Sequence, residues 1–63
     1  SITNYSKEAL LYQAVAETLD IVPTQEQIDT YSSYTGTYGE NYCTMVALMD
    51  AVTDALTESA VVS

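Results

Sequence analysis

One basic side chain, Lys7, faces nine carboxylates in a chain of 63 residues, and histidine, phenylalanine and tryptophan are absent altogether. Each shortage removes a class of chemistry. With no arginine and a formal net charge of −8, nothing here can grip a phosphate backbone or an anionic lipid surface, so no nucleic-acid partner is expected. The single cysteine, Cys43, forms no internal disulfide, and without histidine or a second cysteine no ordinary structural zinc site can be assembled. No run reaches the ~18 apolar residues of a membrane span. The longest apolar region, 45–62, is interrupted by Asp50, Asp54 and Glu58. The first residues include no initiator methionine and no basic n-region, so no signal peptide is visible, and a processed or excised chain is the expectation.

What is present is enough apolar matter to fold. Hydrophobic residues make up 48% of the chain, well above the level of an acidic disordered segment. A chain this short buries only about 60% of the surface it exposes when unfolded, so it holds one small core and forms a single domain over 1–63. Its stability has to come from helix packing, from a partner chain or from both. The negative charge serves solubility, meets a basic partner or reflects a saline setting that screens it. Scarcity of lysine together with many threonines and serines points towards a secreted or assembled protein.

The pattern predicts an all-α, compact three-helix domain with a short second helix and a longer C-terminal one. The segment 6–19 reads as an amphipathic helix capped by Ser6, with Glu8 near the positive end of the dipole. Leu11, Val15 and Leu19, widened by Leu10 and Ala14, form its expected dry stripe. Pro23 ends the connection, and Thr24 with Gln27 has the spacing of a capping box for a helix over about 25–33. Gly36 and Gly39 mark a loop, with a small hairpin as the competing reading. Asn41 is the expected cap of a helix running to about residue 60. Its stripe is Tyr42, Met45, Met49, Val52, Leu56 and Ala60, and its acidic ridge is Asp50, Asp54 and Glu58 at four-residue spacing. Tyr5 and Tyr12 are placed to close the edges of the bundle.

Four of the six tyrosines, Tyr31, Tyr34, Tyr38 and Tyr42, fall within residues 31–44 at spacings of three or four, although two glycines interrupt any continuous helix through them. Tyrosine combines apolar area with a hydroxyl and loses few rotamers on contact, which suits an interface. In a chain with no other aromatic it also has to fill the core. Cys43 reads either as a small buried helix residue or as a disulfide to a second chain. As a nucleophile it lacks a histidine base or a basic neighbour in sequence. The paired carboxylates have the composition for acid–base chemistry, but helical i,i+4 acids ordinarily form a solvated face. Nothing matches a calcium-binding loop, and no motif specifies a cofactor, so none is expected.

LYQAV at 11–15, then Pro23, Ile28 and Tyr31, and MVALMDAV at 45–52 resemble the small helical repeats of secreted bacterial surface proteins over most of the chain. The arginine and glycine punctuation of those repeats is missing. The resemblance implies an extracellular assembly module. The expectation drawn from the residues is a noncatalytic interaction or assembly module. It contacts a protein partner or another copy of itself through Tyr31, Tyr34, Tyr38, Tyr42, Met45 and Met49, with Asp50, Asp54 and Glu58 selecting a basic face. Its rivals are a ligand carrier with a tyrosine-lined pocket and a minimal hydrolase or transferase using the carboxylates and Cys43.

Overall fold

The structure, a computed structural model, describes residues 6–62. Tyr5 lies outside them. Four helical segments follow one another: α1 (Lys7–Leu19), α2 (Gln25–Ser32), α3 (Thr35–Tyr38) and α4 (Glu40–Val62). Short α2 and long α4 agree with the sequence pattern, and among the described residues there is no strand.

Local chemistry sets the ends of α1 and α2. The Ser6 hydroxyl accepts the Ala9 amide at 3.2 Å and opens α1. At the other end Asp20 turns left-handed, with φ 56° and ψ 46°. The Ile21 amide then donates to the Ala16 carbonyl at 2.9 Å, the long backward bond of a Schellman stop. The capping box at α2 is complete. The Gln27 amide donates to Thr24 Oγ1 at 3.1 Å and the Thr24 amide to Gln27 Oε1 at 2.9 Å.

The glycine region departs from the loop expected of it. Tyr38 and Gly39 amides donate to the Tyr34 and Thr35 carbonyls at 2.8 and 3.0 Å, closing one helical turn, α3, that packs on α4. Gly36 sits inside that turn, and a Cβ added there would meet nothing within 4 Å. Gly39 carries the break instead, at φ 90° and ψ 162°, a backbone region open essentially to glycine alone. Its carbonyl receives the Cys43 amide at 3.3 Å, so α4 begins at Glu40, and Asn41 lies within its first turn rather than capping it.

The molecule is built around α4, which packs against each of the other three helices, and α1 and α2 both make their main contacts with it. Its 23 residues rise by roughly 1.5 Å each and account for most of the 39 Å long axis of a body 25 Å wide and 15 Å thick. Apart from Met45 the buried residues are small or medium-sized: Ala9 and Ala16 on α1, and Cys43, Met45, Ala47, Ala51 and Val52 on α4. Cys43, Ala47 and Ala51 follow one another at four-residue steps, a seam that allows close approach of the neighbouring backbone.

Two expected stripes are redistributed by this packing. On α1 the buried side is Ala9 and Ala16, with Tyr12, Gln13 and Val15 half-buried. Leu10, Leu11 and Leu19, assigned to the dry side from their spacing, are more than half exposed. The reason is steric: α1 lies against α4 on its alanines, and the leucines fall outside that contact. On α4 the middle of the predicted stripe is covered, with Met45 and Val52 buried and Met49 half-buried, whereas Tyr42, Leu56 and Ala60 at its ends are exposed.

Candidate functional site

The four clustered tyrosines form an unbroken file that runs across three helices. Tyr31 stands in the last turn of α2, Tyr34 at the junction to α3, Tyr38 at the end of α3 and Tyr42 in the first turn of α4. Ring centroids are separated by 6.3 Å from Tyr31 to Tyr34, 5.9 Å from Tyr34 to Tyr38 and 4.7 Å from Tyr38 to Tyr42. All three spacings lie within the ordinary range of aromatic pairs. The planes are inclined by 28°, 55° and 32° in turn, so the rings do not form a flat plate. Although each ring touches the next, Tyr34, Tyr38 and Tyr42 remain 41–47% exposed.

The break at Gly39 separates α3 from α4 between Tyr38 and Tyr42, and the two rings nonetheless remain neighbours across it.

At the α2 end the file meets two acids of α4. Tyr31 donates its hydroxyl to Asp50 Oδ2 at 2.8 Å, and Gln27 Nε2 donates to Asp54 Oδ2 at 3.0 Å. A step of four residues forward on α2 thus matches a step of four backward on α4, the register of antiparallel helices. Gln27 has two duties, since its oxygen completes the capping box while its nitrogen ties α2 to α4. The hydrogen bond to Asp50 is the main cause that raises the Tyr31 phenol above its ordinary value of 10.0, followed by burial and by the charges of Asp50, Tyr34 and Asp54.

The remaining predicted residues take several different positions. Met45 and Cys43 lie in the chain's own core at 7% exposure, Met49 and Asp50 are half-buried, and Asp54 and Glu58 are exposed. The acidic ridge is therefore not uniform: two of its three members already hold α2. Cys43 Sγ lies 3.6 Å from Thr35 Oγ1. That threonine gives its hydroxyl proton to the Ser32 carbonyl at 2.7 Å, which leaves the thiol to donate in the pair. Among the described residues no group of three or more acids or cysteines is placed to hold a metal ion.

Among the described residues, clefts open at the surface in at least three places. One, of about 330 Å³, lies between Ile28, Ser32 and Thr35 on one side and Glu40, Cys43 and Ala47 on the other. A second is bounded by Ala16, Ile21 and Leu48, and a third by Ala14, Val15, Thr18 and Leu19 on α1. None of these three is lined by a tyrosine of the file.

The interhelix ties were not anticipated from sequence. Their signal was present as two i,i+4 pairs, Gln27 with Tyr31 and Asp50 with Asp54, each a donor or acceptor pair on one face. Comparison of the chain with protein-family models, with curated proteins and with solved structures finds no match, and the resemblance to bacterial surface repeats gains no support from it.

Proposed function

We propose that the chain is a noncatalytic protein-interaction or assembly module whose contact surface is the tyrosine file. The observation that carries this reading is a row of four contiguous aromatic rings, three of them left 41–47% exposed in a chain with no other kind of aromatic residue. A chain short of aromatic side chains gains most stability by covering them with its own helices. Here the core is instead built from alanine, cysteine, methionine and valine, and the larger rings face outward. Contiguous, rigid, amphipathic rings are what interface hot spots are made of. The half-buried Asp50 and the exposed Asp54 at one end of the file supply the polar rim.

Native mass spectrometry of the chain purified from its source tests the reading. The expected result is a mass above the 6.9 kDa of the polypeptide, unchanged by reductant because Cys43 is buried, and lost when Tyr38 and Tyr42 are both replaced by alanine in a chain that keeps its helical circular dichroism. A complex that survives the double replacement, or a bare polypeptide at every concentration, overturns it.

A further inference from the structure

Beyond the tyrosine file, we infer that α1 carries a second contact surface, on which two copies of this chain pair antiparallel through Leu11 and Ala14, with Lys7 of each copy beside Glu17 of the other.

The surface follows from how α1 is seated. Its buried residues are Ala9 and Ala16, and α1 packs on α4. Lys7, Leu11, Ala14 and Thr18 each stand two residues from one of those alanines, which at about 100° per residue is the opposite side of the helix. All four are exposed, Leu11 at 63%, and Leu10 beside them is 52% exposed. Their spacing of four, three and four residues keeps them in one line along the outside of α1.

This line is suited to a helix rather than to water. No carboxylate falls in it, and the Thr18 hydroxyl is already donated to the Ala14 carbonyl at 2.8 Å, so that residue asks nothing of a partner. Next to the line a cleft of about 310 Å³ opens between Ala14, Val15, Thr18 and Leu19. Four such positions on one helix form a hole of the kind that a side chain from a second helix fills.

Charge identifies the second helix as another α1. Lys7 stands in the first turn, whereas Glu17 and Asp20 stand at the far end. Among the described residues Lys7 has no ion pair within its own chain. An antiparallel pair with its twofold axis near Gln13 sets Leu11 of each copy over the cleft of the other and brings Lys7 within reach of Glu17. A parallel pair would set Lys7 against Lys7. Six of the nine carboxylates lie on α2 and α4, away from this contact. The net charge of −8 still opposes approach at long range, so this association tightens as salt rises, whereas binding of a basic partner weakens. A contact of one helix pair is small, and its dissociation constant is on the order of 0.1 mM. It is therefore absent at the low-micromolar concentrations of native mass spectrometry and does not enter the test of the tyrosine file.

Sedimentation equilibrium of the full chain from about 20 µM to about 1 mM tests the inference. The expected mass rises towards twice that of the polypeptide, with association several-fold tighter in about 0.5 M than in about 0.02 M sodium chloride. Leu11→Gln changes an exposed position to another good helix former; it weakens association about tenfold while helical circular dichroism is kept. Lys7→Glu places an acid at the positive end of the helix dipole, so α1 itself is not weakened, yet association falls about tenfold. Adding Glu17→Lys reverses the pair at the native net charge and returns association to within about threefold of native. A single-chain mass at the highest concentration overturns the inference, as does self-association indifferent to Leu11→Gln or a Lys7→Glu defect that Glu17→Lys does not repair. Replacing Tyr38 and Tyr42 by alanine leaves this association unchanged; if it is lost instead, self-association belongs to the tyrosine file and the α1 contact falls while the interaction module stands.

Discussion

At the scale of single residues, hydroxyls and carboxylates are where this chain spends most of its specificity. Threonine is a poor helix former, yet Thr18, Thr30, Thr44 and Thr53 all sit in helices with the hydroxyl donating to the carbonyl four residues back, at 2.8–3.1 Å. Their polarity is consumed locally and leaves little mark on the surface. Tyr31 is different because its hydroxyl crosses to another helix. Ionising the phenol removes the donor and sets two anions against each other, which is why its proton is held more tightly in the fold than in the unfolded chain. A group raised in this way contributes stability that is complete below the unfolded value near 10 and is lost as pH rises through the folded one. Thermal melts of the native chain and of Tyr31→Phe should therefore differ most at pH 8 and converge above about pH 10. A gap that stays constant to pH 11.5 would show that the bond to Asp50 is not linked to the proton.

Among the elements, α3 is the one that propensity alone argues against. A single turn containing glycine is too short to hold in water, and it persists here because it packs on α4 and because Gly39 lets the chain turn immediately after it. The two glycines then have opposite costs. Gly36 is helical with open space around it, so Gly36→Ala should stabilise the chain by about 0.5–1 kcal/mol through reduced freedom of the unfolded state. Gly39→Ala forces an L-residue into φ 90° and should cost about 1–3 kcal/mol while splaying Tyr38 from Tyr42. Denaturant midpoints for the pair decide this, and two shifts of the same sign would sink it. The helix start at Thr24 was legible in full because a capping box is a local pattern of two side chains on two amides. The α3 turn was not, because its stability is borrowed from a helix that comes later in the chain.

For the whole molecule, the governing fact is that a charge of −8 is carried on a body only 15 Å thick. At 0.01 M salt the screening length is about 30 Å, so nearly every carboxylate feels the others, whereas at 1 M it falls to about 3 Å. Stability should rise across that range by roughly 1 kcal/mol, or about 4–8 °C in melting temperature. A melting temperature that is flat or falls with sodium chloride would mean that the interhelix hydrogen bonds of Asp50 and Asp54, rather than repulsion, dominate the electrostatics. The same elongated body leaves Leu10, Leu11 and Leu19 of α1 52–63% exposed. The sequence marked these leucines as buried, since leucine outranks alanine on any hydrophobic scale.

Helix class, the starts of α1 and α2 and the breaks at Pro23 and Gly39 were determined by the sequence alone, because caps, proline geometry and positive φ act within a few residues of where they are written. Which face of each helix is buried was decided only in three dimensions. Alanines at Ala9, Ala16, Ala47 and Ala51, with Cys43, let backbones approach, and the contact area they gain is a property of two helices together. The tyrosine file belongs partly to each level. Its spacing is visible in the chain, but that Tyr38 and Tyr42 stay within 4.7 Å of each other across the break at Gly39 is seen only in three dimensions.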